Sequence, residues 1–422
     1  MRDFRKYFNF LTLVVFLLAF ILGWQIGHRD YQVKWTNYAP IIKVENQQPP
    51  QNITVDFKLF WDTWNLVSRS YWNKKAIDPS KMFYGAIQGM VAAIGDPYTV
   101  FLPPQQQKNS KEDLGGSFNG VGIELGFNEA KPPAGGIKDK RLVVIAPLDG
   151  TPAKVAGIKP LDMIIKIDGQ DATNMNLLDA VNLIRGPKGT GVTLTIFREG
   201  ETNTRDIKLI RDTIIVKSVQ LDFKNTKSGK KIAVIRLTRF GERTQDEWND
   251  AVSQVLAAGP AGVLLDVRNN PGGFLEGAVF VLSEFLDGGD VVLQENSQGQ
   301  RSSYKVDRVG KLLKLPVAVL INKGSASASE IVAGALQDRK RATLVGEQSF
   351  GKGTIQNAED LASGTGIHIT VARWLTPLGR WVNDTNGLDP DVKVEIPKSV
   401  DNQPGDATAD MQQEKALEIL GK

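Results

Sequence analysis

The 422 residues include no cysteine and only two histidines, and Lys plus Arg exceed Asp plus Glu by 51 − 47 = +4. That length is too much for one core and predicts two or three domains. The missing cysteines exclude disulfides, thiolate zinc sites, iron–sulfur clusters and a cysteine nucleophile; His28 and His368 exclude a histidine-rich metal site; and so small a charge excess argues against a nucleic-acid partner.

Residues 8–26 form a nearly unbroken apolar run, long enough for the ~30 Å hydrocarbon core of a bilayer. Arg2, Arg5 and Lys6 precede it against one Asp3, while Arg29 beside Asp30 follows it, so the positive-inside rule puts the N-terminus in the cytoplasm. Gly23-Trp24-Gln25 is too bulky for a signal-peptidase site. The expectation is an uncleaved single-pass anchor over residues 1–30, with a cleaved signal peptide as the alternative; both export the body. Gln47-Gln48-Pro49-Pro50-Gln51 marks a tether within residues 31–54.

Residues 55–116 are expected to be helical. Phe57, Phe60, Trp61, Trp64, Val67 and Tyr71 recur at three- and four-residue spacing, the mark of one buried helix face or a dimer contact. A second helix is expected over 79–93, ending at Gly95-Asp96-Pro97.

Residues 117–211 are β-rich. Ile164 to Ile167 runs into the turn Asp168-Gly169, a helix is expected over 176–185, and Val192 to Phe197 alternates as a strand before the turn Glu199-Gly200 and a last strand, 205–210. Ahead of these lies Phe118-Asn119-Gly120-Val121-Gly122-Ile123. This order resembles a bacterial PDZ domain, with Gly120, Val121, Gly122 and Ile123 where that family's carboxylate-binding loop lies. The resemblance implies that backbone N–H groups there hold a peptide C-terminus while the peptide adds a strand to the sheet edge.

Residues 212–397 alternate short apolar strands (232–237, 262–267, 317–321, 343–345) with helices (245–258, 275–286, 327–338), a layered α/β core. Residues 398–422 are a polar tail with a short helix over 411–420.

Small residues crowd three strand ends in this core: 266–273, 322–330 and 346–354. The third is a near miss for a phosphate-binding loop, because Gly353 stands where Ser or Thr must reach magnesium, and a strand follows instead of a helix. The second opens a helix whose free N–H groups favour a developing anion, but Ser325, Ser327 and Ser329 all compete as nucleophile or mere cap. A nucleophilic serine needs a base: His368 on an alternating strand, or a lysine kept neutral by burial, for which Lys352 between Gly351 and Gly353 and beside Phe350 is suited.

Taken together, G-S-A-S-A-S-E and F-G-K-G resemble the carboxy-terminal processing (tail-specific) serine proteases, and the likeness runs from about Phe57 to the tail. The resemblance implies a serine–lysine dyad of Ser327 as nucleophile and Lys352 as base, 352 − 327 = 25 residues apart as is usual in the family. It further implies that Gln356 orients the lysine and that Gly273 and Ala328 donate oxyanion N–H groups. The implied fold is multidomain, α/β and α+β: a membrane anchor, a helical region, a PDZ domain with two helices, and a layered serine protease core of the ClpP/crotonase-like type. The function implied is cleavage of unfolded proteins at their C-terminal tails, without cofactor or metal, on the outer side of a bacterial cytoplasmic membrane. Protein C-termini and the membrane are the expected partners, with a homo-oligomer or an adaptor protein as further ones. A tethered PDZ scaffold that binds without cutting explains the loop but not the spacing of Ser327, Lys352 and Gln356. A trypsin-like enzyme fails because His28 is the one histidine ahead of Ser327.

Overall fold

The computed structural model describes residues 55–129, 140–148, 150–173, 175, 177–395 and 410–422, together with 16–18, 20 and, as backbone, 31–36 and 39–44. The expected anchor therefore lies almost wholly outside the described residues, whereas part of the expected tether is described and is not a plain linker: Tyr31–Thr36 pairs antiparallel with Ala39–Val44, a hairpin that the Gln- and Pro-rich segment after it does not disclose. Among those described, no helix is long and apolar enough to cross a membrane. The chain divides into two units, Met1–Met82 and Phe83–Lys422.

In the first unit the aromatic periodicity makes a helix, Lys58–Ser70, started by the Asp56 carboxylate accepting the Lys58 N–H at 2.8 Å. Its apolar face is not buried as the spacing predicts. Phe57, Phe60, Trp61, Val67 and Tyr71 are exposed, and the Trp64 ring lies against Phe60 and Trp61, with centroids 6.0 and 6.2 Å away. Periodicity reports that a face is apolar, not what covers it.

The second unit begins within the helix Pro79–Ala92. The helical reading is interrupted after it and holds again at the helix Pro104–Leu114. Gly95 takes φ +83°, Pro97 cannot continue a helix, and Val100–Leu102 is a strand paired with Gly366–Leu375.

Next comes an antiparallel sheet in the order Arg205–Ile210, Gly191–Phe197, Met163–Ile167, Lys140–Pro147, Ile123–Glu129. Every second residue of Gly191–Phe197 is buried, and Val192, Leu194 and Ile196 meet Leu142, Val144, Ile164 and Ile167 in one core. Among the described residues Ile123–Glu129 is an edge strand with one side unpaired.

A second layer is the six-stranded sheet Val219–Asn225, Lys231–Leu237, Gly262–Asp266, Val317–Ile321, Ala342–Gly346, Val392–Lys393, parallel after its first pair. Gly262–Asp266 and Val317–Ile321 are buried at every position, as parallel strands covered on both faces must be. Helices Thr244–Ala258, Leu275–Leu282 and Ala328–Asp338 cover one face. Met411–Leu420 covers the other, with Ala416 and Leu420 against Leu264, Ala318 and Leu320. Its N-cap Asp410 is tethered by Arg268, whose guanidinium lies 2.7 Å from both Asp266 and Asp410. Replacing the fully buried Ala416 with Asp should cost about 3 kcal/mol and visibly lower the thermal midpoint. An unchanged midpoint would contradict this packing.

Candidate active site

All three small-residue loops leave the carboxyl ends of adjacent parallel strands, so the fold brings them together as open α/β sheets do. Residues 267–273 follow Gly262–Asp266, residues 322–327 follow Val317–Ile321, and residues 347–353 follow Ala342–Gly346.

The structure separates the three serines that the sequence leaves equivalent. Ser325 and Ser329 are fully buried, and their hydroxyls donate to the Val267 and Asn270 carbonyls, each at 2.8 Å. Ser327 is half-buried at the start of helix Ala328–Asp338, with φ +54° and ψ −115°. For a residue with a Cβ this backbone is strained by ~1–3 kcal/mol, and it holds the hydroxyl at the mouth of the helix.

The strain is held by Glu330, a fully buried carboxylate. One oxygen accepts the Ser327 N–H at 2.8 Å and the Lys352 N–H at 2.9 Å. The other accepts the Ser349 hydroxyl at 2.6 Å and the Gly351 N–H at 2.7 Å. Burial pushes the Glu330 carboxyl above the usual range, with these four donors pulling against it. The Lys352 carbonyl is fixed as well, accepting the Trp374 indole N–H at 2.9 Å.

The Lys352 amine lies 4.8 Å from the centre of the Tyr98 ring. Burial lowers its pKa below that of an ordinary lysine, against the negative charges of Asp96 and Glu330. Phe350, the apolar neighbour suggested by the sequence, is itself exposed. Among the described residues, Nζ donates no hydrogen bond to Ser327 Oγ. Gln356 is not bonded to the lysine either, since its amide donates to Thr354 at 2.8 Å and Thr370 at 3.3 Å. His368, outside every matched motif, sits close enough for the Lys352 charge to add to burial in lowering its pKa.

Gly273 takes φ +138°, and a Cβ there would lie 2.0 Å from the Phe240 carbonyl oxygen, so only glycine fits. Asn270, fully buried, sets this turn by accepting the Gly272 N–H at 2.9 Å and donating to Leu237 at 2.8 Å. The N–H groups of Gly273 and Ala328 have no partner among the described residues. Both expected oxyanion donors are thus unoccupied.

In the β-rich domain Gly120 and Val121 are buried, Gly122 takes φ +76° against Thr151, and Ile123 starts the edge strand. The Val121 and Gly122 N–H groups are unpartnered among the described residues, while their carbonyls accept Ala153 and Leu148 at 2.9 Å. Arg185, which ends the helix expected over 176–185, is packed over the Phe118 ring at 4.4 Å and within 3.4 Å of Glu112.

Comparison with known proteins identifies the family and the domains. Peptidase family S41 matches residues 231–394, the PDZ domain residues 114–197, and the activating protease CtpB N-terminal domain residues 28–105. The carboxyl-terminal-processing protease of Synechocystis is 34% identical over 396 residues, covering 90% of each chain. The chain belongs to the carboxyl-terminal-processing serine proteases of family S41. Another relative is the carboxy-terminal processing protease CtpA of Bacillus subtilis, 38% identical over 79% of this chain and 68% of its own. Among solved structures, the photosystem II D1 C-terminal processing protease is 30% identical with a TM-score of 0.50, covering 88% of this chain and 98% of that one. A putative S41 protease from Bacteroides fragilis, 14% identical with a TM-score of 0.58 over 89% of this chain and 99% of that one, shares the fold.

Glu330, Asn270, Asp96 and Tyr98 escaped the sequence reading. Glu330 was legible in principle, since Ser327-x-x-Glu330 is a helix-start signature; the other three depend on distant partners. Glu330→Gln keeps the shape but turns an amide NH₂ toward two backbone or hydroxyl donors. It should cost ~2–3 kcal/mol of stability and lower kcat by more than tenfold at unchanged substrate length. A variant with wild-type kcat would remove Glu330 from the site.

Proposed function

We propose that this chain is an endopeptidase tethered to the cytoplasmic membrane, with its body outside the cytoplasm, that takes unfolded proteins by their C-termini and cuts them with a Ser327–Lys352 dyad. The observation carrying this reading is the single buried carboxylate that ties the backbone of Ser327 to that of Lys352, beside two unoccupied N–H donors. The apolar run at residues 8–26 and its flanking charges support the tether and the orientation. The uncovered aromatic stripe of Lys58–Ser70 supports self-association.

In the mechanism, the substrate carboxylate docks on the N–H groups of residues 120–123, and the preceding residues extend the edge strand Ile123–Glu129. Ser327 Oγ attacks a backbone carbonyl while neutral Lys352 takes its proton. The negative charge moves to the carbonyl oxygen, facing the Gly273 and Ala328 N–H groups. Collapse breaks the C–N bond, and Lys352 returns the proton to the departing amine. Water then attacks the ester, Lys352 again accepts a proton, and Ser327 is restored. Gln356, whose side-chain oxygen has no partner among the described residues, orients the lysine as it moves.

Ser327→Ala should abolish cleavage of a disordered protein. Lys352→Arg should do the same despite keeping the charge, because arginine does not deprotonate. Cleavage surviving in either variant would sink the dyad. The rate should rise with pH through the Lys352 pKa, with its midpoint below that of ordinary lysine because burial disfavours the ammonium. For docking, Gly122→Ala would place a Cβ 2.4 Å from the Thr151 side chain. Both that variant and amidation of the substrate C-terminus should raise KM by about tenfold or more, with kcat kept. Equal KM for acid and amide would refute carboxylate capture.

A further inference from the structure

The turn between the helix Pro79–Ala92 and the strand Val100–Leu102 lies against the active-site lysine, and neither the motifs nor the dyad chemistry account for it. Its position is fixed from two sides. Val100 pairs with His368, and the Thr99 hydroxyl accepts the Thr370 N–H at 3.0 Å while donating to Asp96 at 2.7 Å. Asp96 also accepts the Tyr98 N–H at 3.1 Å. Gly366–Leu375, the strand that anchors the turn, pairs in turn with Thr354–Asp360, which begins two residues after Lys352. The Tyr98 ring therefore stands at a set place, 4.8 Å from Lys352 Nζ.

The charged and titratable groups facing this amine are Asp96 and Tyr98 from the turn, Glu330 from the helix Ala328–Asp338 and His368 from the strand Gly366–Leu375. An aromatic face attracts an ammonium through its quadrupole, and a nearby carboxylate attracts it through charge. Burial pushes Asp96 up, but hydrogen bonds from Thr370, Thr99 and Tyr98 outweigh it, so this carboxyl lies below its usual range and is ionised at neutral pH. Both groups thus favour the protonated lysine at a position where it makes no hydrogen bond to Ser327. A general base must be neutral and at the hydroxyl, so the turn opposes both requirements at once.

We propose that Tyr98 and Asp96 are positioning residues that hold Lys352 over the ring, charged and disengaged from Ser327, in the resting enzyme. The proposal rests on the reading of Lys352 as the base. Its test is the pH profile of kcat/KM on a disordered protein substrate, whose acid limb reports the free enzyme's base. Tyr98→Leu, which keeps an apolar cover but removes the ring face, should move that limb down by about one pH unit. Asp96→Asn should move it in the same direction, so both variants cut faster than wild type on the acid side. Tyr98→Phe, which retains the ring face, should restore the wild-type limb. The proposal is overturned if either Tyr98→Leu or Asp96→Asn, folded by circular dichroism, keeps the wild-type limb, moves it upward or loses activity. Full activity in Lys352→Arg would be a different failure, removing the base itself and the proposal with it.

Discussion

Everything at the active site depends on one carboxylate. Glu330 is buried, without an ion pair among the described residues, and surrounded by four donors drawn from two loops. A charge in such a place is costly unless its oxygens are saturated, and here both are. The cost is offset only when the two loops lie side by side. The same group that compensates the strained backbone of Ser327 therefore fixes the backbone of Lys352. No covalent or metal link is needed to hold Ser327 and Lys352 in register, because a buried anion tolerates few other arrangements of its donors.

The rest of the fold supplies the conditions for that carboxylate. Parallel strands buried on both faces set three loops at one sheet end, and Asn270 laces the first loop to the second by accepting the Ala326 N–H at 3.0 Å and the Ser329 hydroxyl at 2.8 Å. The lysine's other wall comes from a turn ahead of the PDZ domain, far away in sequence, through the strand Val100–Leu102. The PDZ domain carries, among the described residues, an unpaired strand edge beside unpartnered N–H groups, on a sheet separate from the one that sets these loops.

The sequence disclosed the elements whose pattern is local. The alternating strands of the PDZ domain, the apolar parallel strands and the helix Met411–Leu420 fall where periodicity and turn residues put them. Family motifs pointed to Ser327 over Ser325 and Ser329, a choice that composition and spacing left open; Ser325 and Ser329 are fully buried and Ser327 is not. What stayed hidden was non-local. Val100–Leu102 reads as part of a helical region until its partner Gly366–Leu375 is in place, and nothing local shows that Arg185 lies over the Phe118 ring. The aromatic stripe of Lys58–Ser70 shows the converse, since an apolar face is visible in sequence but its cover is not. His368 illustrates a limit of motif reasoning. It belongs to no motif, yet it shares the electrostatic surroundings of Lys352.

The central claim is that burial makes Lys352 a base, and the most direct measurement is a heteronuclear NMR titration of its side chain in Ser327→Ala protein labelled at lysine. A midpoint clearly below the ordinary lysine value of ~10.4 is expected for Lys352 alone among the lysines of the core. A midpoint at or above that value would contradict it, leaving the serine without the base its surroundings were read to provide.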